Sequence, residues 1–389
     1  MPSQLFYSNF DFEYQLRDGY QPTPKLKRLN EELAFCWLAL VEPGDQILLE
    51  HDVEPEFLEH LQQAGIVCPQ FVSDSSQFSV AHCQPWGWSQ QACRFAETLG
   101  HKPEIPDPLV IHQINNRLWA AEQEAFNASS ERISWIIASQ KDLEAALVEF
   151  QSDEPWLLKT CFSMSGRDRI SGQGTGLTEA QMGWVRKRLH PNSPLLLERY
   201  LQSIQELGLQ YEVPPEGEPV LMGLLPMLTD RTGRYAGSWI LQPSELIRTW
   251  QPLVDQADSI AKRIQAAGYF GPVGLDVMQY RDHAGDAQVR LFQDVNARYT
   301  MGRLALGWSR YLKPKEVACW LHLSHRCQNK EELKKWWAVR EQIADNGARL
   351  IRTSPLFHAG QIVGHQTGLL ITNDETRARE QVQRILSCV

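Results

Sequence analysis

Two apolar segments joined by a short polar turn constrain the fold more than any other feature of the sequence. Val273–Tyr280 and Val289–Val295 are typical of strands, and the turn at Asp282–Asp286 is typical of a β-hairpin. Aspartates interrupt both segments, yet the residues around them are too apolar for a freely exposed sheet edge. The sequence therefore predicts an antiparallel strand pair that carries an acidic face.

That acidic face has the ligand types that magnesium prefers. Asp294 and Asn296 are two residues apart, so both side chains point to one face of a strand. With Asp276 on the neighbouring strand, the face offers hard oxygen ligands, which suit Mg²⁺ together with substrate phosphates. Arg298 continues the same face and could grip a phosphoryl group with two hydrogen bonds. A solvated strand face beside an acidic turn is the alternative interpretation.

A lysine followed by a glycine-rich stretch is the second informative feature. Lys159 ends the predicted strand Trp156–Lys159, and four glycines and two arginines follow within the stretch from 161 to 176. Such a stretch lets backbone N–H groups approach an anion closely. It is neither a P-loop nor a dinucleotide-binding motif, because the spacing of either is missing. A flexible surface loop beside an exposed lysine is the alternative interpretation.

The order of predicted elements indicates an α/β protein of two or three domains, since 389 residues exceed what one core usually holds. Residues 44–72 are predicted as strand, helix and strand, which implies a parallel pair with a crossover helix. Further helices are predicted at Ser89–Leu99, Arg117–Phe126, Gln140–Phe150, Thr178–His190, Ser244–Ala267, Lys315–His325, Glu331–Gly347 and Glu375–Leu386, and further strands at Ser134–Ala138, Pro194–Leu201, Val220–Leu228, Ala348–Thr353 and Gln361–Thr372.

Charge and hydropathy exclude several classes of function. Lys and Arg number 38 against 47 Asp and Glu, a net charge of -9, and no basic stripe is present, so we expect no nucleic-acid partner. The longest apolar run, Leu33–Val41, is too short to span a bilayer, and no signal peptide is recognisable. We expect a cytoplasmic protein without a membrane partner. The eight scattered cysteines indicate buried thiols rather than zinc ligands or disulfides.

In their order and spacing these features resemble the ATP-grasp superfamily, which includes biotin carboxylase and many carboxylate–amine ligases. The resemblance covers roughly residues 105–310 and rests on Lys159, the glycine-rich loop, Leu195–Leu201, Asp276 and Asp294-x-Asn296-x-Arg298. It implies a pre-ATP-grasp α/β domain at 1–105, an N-terminal lobe with a lid loop at 106–195, and a C-terminal lobe with the metal site and an extension at 196–389. Gly274 stands where D-alanine–D-alanine ligases carry an arginine, which argues against that subfamily.

The resemblance also implies how ATP would be held. Lys159 would bind the phosphates and adenine N7, and Arg117 stands where the family often has a phosphate-binding lysine. Glu198 would accept the adenine amino group. Glu206 would bind the ribose, with Gln205 as the competing candidate. The remaining nucleotide contacts would come from the lid residues Ser163, Ser165, Gly166 and Arg167 and from main-chain atoms between Arg199 and Leu201.

For the chemistry, the resemblance implies that Asp276, Asp294 and Asn296 hold Mg²⁺, although Asp294 stands where a glutamate is more usual. Arg298 would stabilise a phosphorylated intermediate, and Arg303, close behind the metal motif, could clamp a substrate carboxylate. We expect an ATP- and Mg²⁺-dependent ligase that joins a carboxylate, through an acyl phosphate, to an amine or thiol.

The substrates expected are a small-molecule carboxylate and a small-molecule amine, and an amino acid or peptide-like compound fits both descriptions. The chain could form a homodimer. A kinase of the same fold that phosphorylates a hydroxyl group, and a non-catalytic nucleotide-binding module, are the alternatives.

Overall fold

Three β-sheets and a two-stranded ribbon, with helices packed against them, form the described part of the computed structural model, which confirms the predicted α/β class. The structure describes residues 3–73, 78, 82–100, 102–127, 132–164, 166–230, 233–344 and 347–388, without the side chains of residues 126, 127 and 243. Within these ranges no helix is both long and apolar enough to cross a membrane. All eight cysteines are free thiols, four of them buried.

The N-terminal sheet has four parallel strands in the order β3-β2-β1-β4. Its strands are β1 (Gln4–Tyr7), β2 (Gln46–Leu48), β3 (Gln70–Val72) and β4 (His82–Pro85), and its helices are α1 (Phe12–Gln15), α2 (Pro24–Leu33), α3 (Pro55–Gln63) and α4 (Gln90–Thr98). The predicted strand–helix–strand unit is confirmed as β2, α3 and β3. Ser89 begins α4 by accepting a hydrogen bond from the backbone N–H of Ala92.

A second sheet is antiparallel, in the order β5-β8-β6-β7. The segment begins with α5 (Pro108–Ile114) and α6 (Arg117–Asn127), followed by β5 (Ser134–Ile137), α7 (Gln140–Leu147), β6 (Pro155–Thr160), β7 (Arg169–Gln173), α8 (Glu179–Arg188) and β8 (Leu195–Arg199). Strand β7 corrects the prediction that the whole glycine-rich stretch is a loop. A Cβ atom at Gly172 would lie 2.1 Å from the Trp156 ring, so this glycine makes room for a buried indole.

The largest sheet is antiparallel and has eight strands, in the order β13-β12-β9-β10-β11-β14-β18-β15. Its strands and neighbours are β9 (Gln202–Val213), β10 (Val220–Thr229), β11 (Tyr235–Ile240), α9 (Pro243–Thr249), α10 (Gln251–Ala266), β12 (Gly271–Arg281), β13 (Ala287–Asn296), α11 (Met301–Gly307), β14 (Val317–Ser324), α12 (Lys330–Ala344), β15 (Ala348–Arg352), the ribbon β16 (Phe357–His358) and β17 (Gln361–Ile362), β18 (His365–Thr372) and α13 (Glu375–Ser387).

The predicted helix at Lys315–His325 is wrong, because Val317–Ser324 is a strand. Seven consecutive residues from Val317 to Leu323 are buried, all but His322 apolar, and their pairing with β11 and β18 shows that the segment is a strand. Strands β9 and β11 and helix α11 were not predicted. The predicted hairpin is confirmed as the pair β12–β13.

One hydrophobic core joins the N-terminal sheet to the eight-stranded sheet. It contains Trp37 from the N-terminal region together with Tyr211, Trp308 and Trp320 from the large sheet and its helices. The sheet of β5 to β8 has a separate core around Trp135 and Trp156. The division into domains at residues 105 and 195 stays a prediction.

Candidate active site

A cleft lies where the N-terminal region, the β6–β7 loop and the strand pair β12–β13 meet. Asp276, Asp294 and Asn296 line it together with three cations, Lys159, Arg117 and Arg298. The other predicted residues that line it are Ser163, Gly166, Arg167 and Glu206. Residues far apart in the sequence therefore converge on one site that contains charges of both signs.

The acidic side of the cleft is built on the register of β12 and β13. Asp276 pairs directly with Asp294, and Asn296 pairs with Gly274. The Asn296 amide donates a hydrogen bond of 3.2 Å to Oδ2 of Asp276. Burial and the charge of Asp294 raise the pKa of Asp276 to about 7. The carboxylates of Asp276 and Asp294 share a confined surface that fits a hard divalent cation such as Mg²⁺, and the Asn296 amide, whose Oδ1 accepts from Arg298, lies beside them.

Arg117 connects the two sides of the cleft. It is the first residue of α6, and its guanidinium lies 3.3 Å from Oδ2 of Asp294. The same group donates hydrogen bonds of 2.6 Å and 3.0 Å to the hydroxyl and carbonyl oxygens of Ser163 in the β6–β7 loop. The predicted phosphate-binding cation therefore holds the loop beside the acidic strands.

Lys159 forms a buried ion pair with Glu198 on the neighbouring strand β8. The second oxygen of Glu198 accepts a hydrogen bond of 2.7 Å from Arg290, which also binds Glu124. Burial alone would raise the pKa of Glu198, but the charges of Arg290 and Lys159 hold it at about 2. Burial lowers the pKa of Lys159, against the attraction of Glu198. Glu198 therefore positions the lysine from behind the cleft, and it does not line the cleft itself.

Glu206 and Gln205 point to opposite faces of β9, as neighbouring residues on a strand do. Glu206 lines the cleft, whereas Gln205 is not among the lining residues. Burial raises the pKa of Glu206, and the nearby Lys159 counteracts part of that effect. The placement favours Glu206 over Gln205 as the residue that could contact a nucleotide.

Arg298 is held by residues of the N-terminal region. Its guanidinium donates to Glu13 of α1, to the carbonyl oxygen of Tyr299 and to Oδ1 of Asn296. The Trp86 ring lies 5.3 Å from the guanidinium carbon. Oε2 of Glu13 is buried without a hydrogen-bond partner in the described part of the chain. The arginine is therefore fixed in the cleft before any substrate binds.

The structure does not bring every predicted residue to the cleft. Arg303 binds Glu212 at 2.9 Å and is not among the lining residues, because α11 directs it toward β9. Arg199 pairs with Glu154, and Leu201 lies between β8 and β9, where the two antiparallel sheets are joined. Ser165 lies outside the described residues.

A second group of residues at the cleft was not predicted from the sequence. Glu13 lines it from the N-terminal region, and Arg169 and Arg234 line it from β7 and from the β10–β11 connection. Arg17 donates to the carbonyl oxygen of Phe162 and so holds the β6–β7 loop from outside. Arg169 could have been found as the second arginine of the glycine-rich stretch, but no local signal marks the others.

Several solved structures share this architecture. N5-carboxyaminoimidazole ribonucleotide synthetase from Thermus thermophilus is 16% identical, with a TM-score of 0.55 over 99% of each chain. N5-carboxyaminoimidazole synthetase from Staphylococcus aureus, complexed with ADP, is 11% identical, with a TM-score of 0.56 over 99% of this chain and 96% of that one.

A biotin carboxylase domain is similar to this chain over a comparable length. It belongs to 2-oxoglutarate carboxylase from Hydrogenobacter thermophilus and was solved as a dimer in complex with MgADP, ADP and bicarbonate. Its sequence is 11% identical, and the TM-score is 0.55 over 99% of this chain and 89% of that one. No family model and no curated protein sequence matches the chain. Because these likenesses extend over nearly all of each chain, the present protein has the ATP-grasp fold with an α/β region ahead of it.

Proposed function

We propose that the protein is an ATP- and Mg²⁺-dependent ligase that joins a carboxylate to an amine or thiol. The observation that carries the proposal is the convergence of the acidic pair, Asp276 and Asp294, with three fixed cations in one cleft. Phosphoryl transfer depends mainly on positioning and charge neutralisation, and this arrangement supplies both.

In the proposed reaction, the substrate carboxylate attacks the γ-phosphorus of ATP, a P–O bond forms, and ADP leaves. The amine or thiol then attacks the acyl carbon and loses a proton to solvent, the C–O bond breaks, and phosphate leaves with one oxygen of the original carboxylate. Lys159 and Arg117 would stabilise the charge on the transferred group, and Arg298 would grip the phosphorylated intermediate. Mg²⁺, held by Asp276, Asp294 and Asn296, would neutralise the phosphate oxygens.

The β6–β7 loop, residues 161–168, would act as the lid over the phosphates, because an acyl phosphate must be protected from water. Arg117 and Arg17 hold this loop from two sides through Ser163 and Phe162. Glu206 would bind the ribose.

Two classes of carboxylate substrate fit the proposed reaction. An amino acid or peptide-like compound is the first, and bicarbonate, which occupies the Hydrogenobacter biotin carboxylase domain, is the second. That neighbour is also a dimer, so a homodimer is part of the proposal.

The test uses the purified chain with MgATP and a panel of carboxylates, including bicarbonate, combined with amines and thiols. Phosphate release that requires both a carboxylate and a nucleophile supports the ligase. A phosphorylated hydroxyl product, seen by mass spectrometry, would support the kinase of the same fold instead.

A binding measurement makes the test independent of the substrate. Isothermal titration should show that Asp294→Asn weakens MgATP binding, because it removes a metal ligand's charge. Asp286→Asn is the matched control, since Asp286 is an exposed aspartate in the turn of the same hairpin. Equal affinity of both variants and the native protein would contradict the site.

A further inference from the structure

A cluster of two histidines and one glutamate lies away from the cleft, where the N-terminal region meets the C-terminal ribbon. Glu31 is on α2, His51 follows β2, and His358 is on β16. Nδ1 of His51 lies 2.7 Å from Oε1 of Glu31, and Nε2 of His358 lies 3.1 Å from the same oxygen. One nitrogen or oxygen from each side chain lies within 4.8 Å of the other two.

His358 is the unusual member of this cluster. Its side chain is only 3% exposed, yet neither ring nitrogen makes a hydrogen bond of acceptable geometry within the described ranges. Burying a polar group without a partner is costly, so such groups usually have a ligand or a structural explanation. The Phe35 ring packs edge-on against the imidazole, with centroids 5.2 Å apart, and supplies no polar partner.

The backbone fixes the position of His358. The ribbon pairs His358 with Gln361, and the two residues between them both have positive φ, 50° at Ala359 and 73° at Gly360. Two such residues in a two-residue connection form the tight hairpin turn typical of twisted strands. A non-glycine residue with positive φ is uncommon, so this turn holds the histidine at some conformational cost.

We propose that Glu31, His51 and His358 bind one divalent cation of the zinc class. Two imidazoles and a carboxylate are a common ligand set for zinc, whereas Mg²⁺ and Ca²⁺ prefer oxygen ligands alone. The His51 side chain is 52% exposed, which leaves a further coordination position accessible to water. Nε2 of the buried His358, whose contact with Glu31 does not meet hydrogen-bond geometry, would bind the ion directly.

The ion would join parts of the chain that are far apart in sequence. Arg28 already donates a hydrogen bond of 2.6 Å to the carbonyl oxygen of Ile362, and Glu32 accepts from the backbone N–H groups of Gly364 and His365. The cation adds a further connection between α2 and the segment 358–365. Its role is therefore structural, and it is independent of the proposed ligase chemistry.

The experiment measures zinc binding by the chelator-treated, full-length protein. Calorimetry and elemental analysis after gel filtration should show one Zn²⁺ per chain, and Co²⁺ should give visible d–d absorption bands. His51→Ala and Glu31→Gln should each weaken Zn²⁺ binding by more than roughly tenfold. His283→Ala is the matched control, because it removes a histidine of similar exposure in the β12–β13 turn.

Asp294→Asn separates this site from the magnesium site, and it should bind Zn²⁺ with the affinity of the native protein. Circular dichroism of each variant establishes that it remains folded. Absence of stoichiometric Zn²⁺ binding, or equal affinity of His51→Ala and the native protein, would overturn the proposal. Loss of the Zn²⁺ ion only in Asp294→Asn would also overturn it, since it would place the ion in the cleft.

Discussion

Asp276 and Asp294 lie directly opposite each other on adjacent antiparallel strands, so two carboxylates share one partly buried surface. Like charges in this position destabilise a sheet. Such a pair is unfavourable for the fold alone, and a bound cation removes the repulsion. The relationship links the stability of the protein to its proposed metal.

Replacing one member of the pair should stabilise the metal-free protein. We expect Asp276→Asn to raise the free energy of unfolding by about 0.2–1 kcal/mol in chelator at pH 8, because it removes a like-charge pair. Urea denaturation measures the change, with Asp286→Asn as the exposed control. A lower stability of Asp276→Asn than of that control would contradict the interpretation.

The same pair predicts how stability depends on pH. The pKa of Asp276 is raised in the folded protein, from an ordinary value of 3.8 to about 7, so the folded state holds more protons than the unfolded state between these values. The contribution of Asp276 to stability is therefore present at low pH and is lost as the pH rises to 7. In the presence of a metal chelator, the native protein should lose stability relative to Asp276→Asn as the pH rises from 5 to 8, so the difference between their free energies of unfolding should grow. A constant difference would contradict the assignment.

Glu198 should be essential for the fold around Lys159. Glu198→Gln leaves the buried cations Lys159 and Arg290 without their shared carboxylate, and breaking a buried ion pair costs about 3–5 kcal/mol. We expect a loss of this order in urea denaturation. Glu380→Gln, an exposed substitution on α13, should change stability by less than about 0.5 kcal/mol. Equal effects of the two substitutions would show that Glu198 does not neutralise these cations.

The contact between Arg298 and Glu13 should be energetically coupled. A double-mutant cycle with Arg298→Ala and Glu13→Ala should give a coupling energy of about 0.5–3 kcal/mol in the free energy of unfolding, as for other contacting residues. A coupling of zero would mean that the N-terminal region does not hold the arginine. Arg298→Ala with Glu97→Ala, an exposed glutamate on α4, is the additive control.

Arg17 should restrain the β6–β7 loop. Its guanidinium donates to the carbonyl oxygen of Phe162 and lies 2.9 Å from Asp168. Because the arginine is partly exposed, Arg17→Ala should cost about 1 kcal/mol and speed amide hydrogen exchange in Phe162–Met164 by about fivefold. Arg94→Ala, at an exposed site on α4, should leave that rate unchanged. Unchanged exchange in Arg17→Ala would exclude the restraint.

The acidic half of the cleft could be predicted from the sequence because it depends on residues close together in the chain. A spacing of two along a strand places Asp294 and Asn296 on one face, and the turn brings Asp276 beside them. Lys159 and Arg298 were identified from their places at a strand end and on the acidic face, and Arg117 was identified from the family pattern. Their convergence on these strands is a tertiary property that only the structure reveals.

The missed features depend on long-range contacts. Glu13 meets Arg298 across 285 residues, and neither residue carries a local signal for the other. Strand β7 was not predicted because glycines such as Gly172 are typical of loops. In the structure, Gly172 leaves space for the Trp156 ring. The short buried run of β14 fits a buried helix or a strand equally well by composition, and only its pairing with β11 and β18 decides between them.

The most direct test of the proposed function measures whether an oxygen atom of the carboxylate substrate is transferred to the released phosphate. The carboxylate that supports phosphate release is labelled with oxygen-18 and supplied with MgATP and its nucleophile, and the released phosphate is examined by mass spectrometry. An acyl phosphate pathway transfers one labelled oxygen to phosphate in each turnover, and we predict that result. Unlabelled phosphate, with all of the label retained by the carboxylate, would contradict the ligase mechanism.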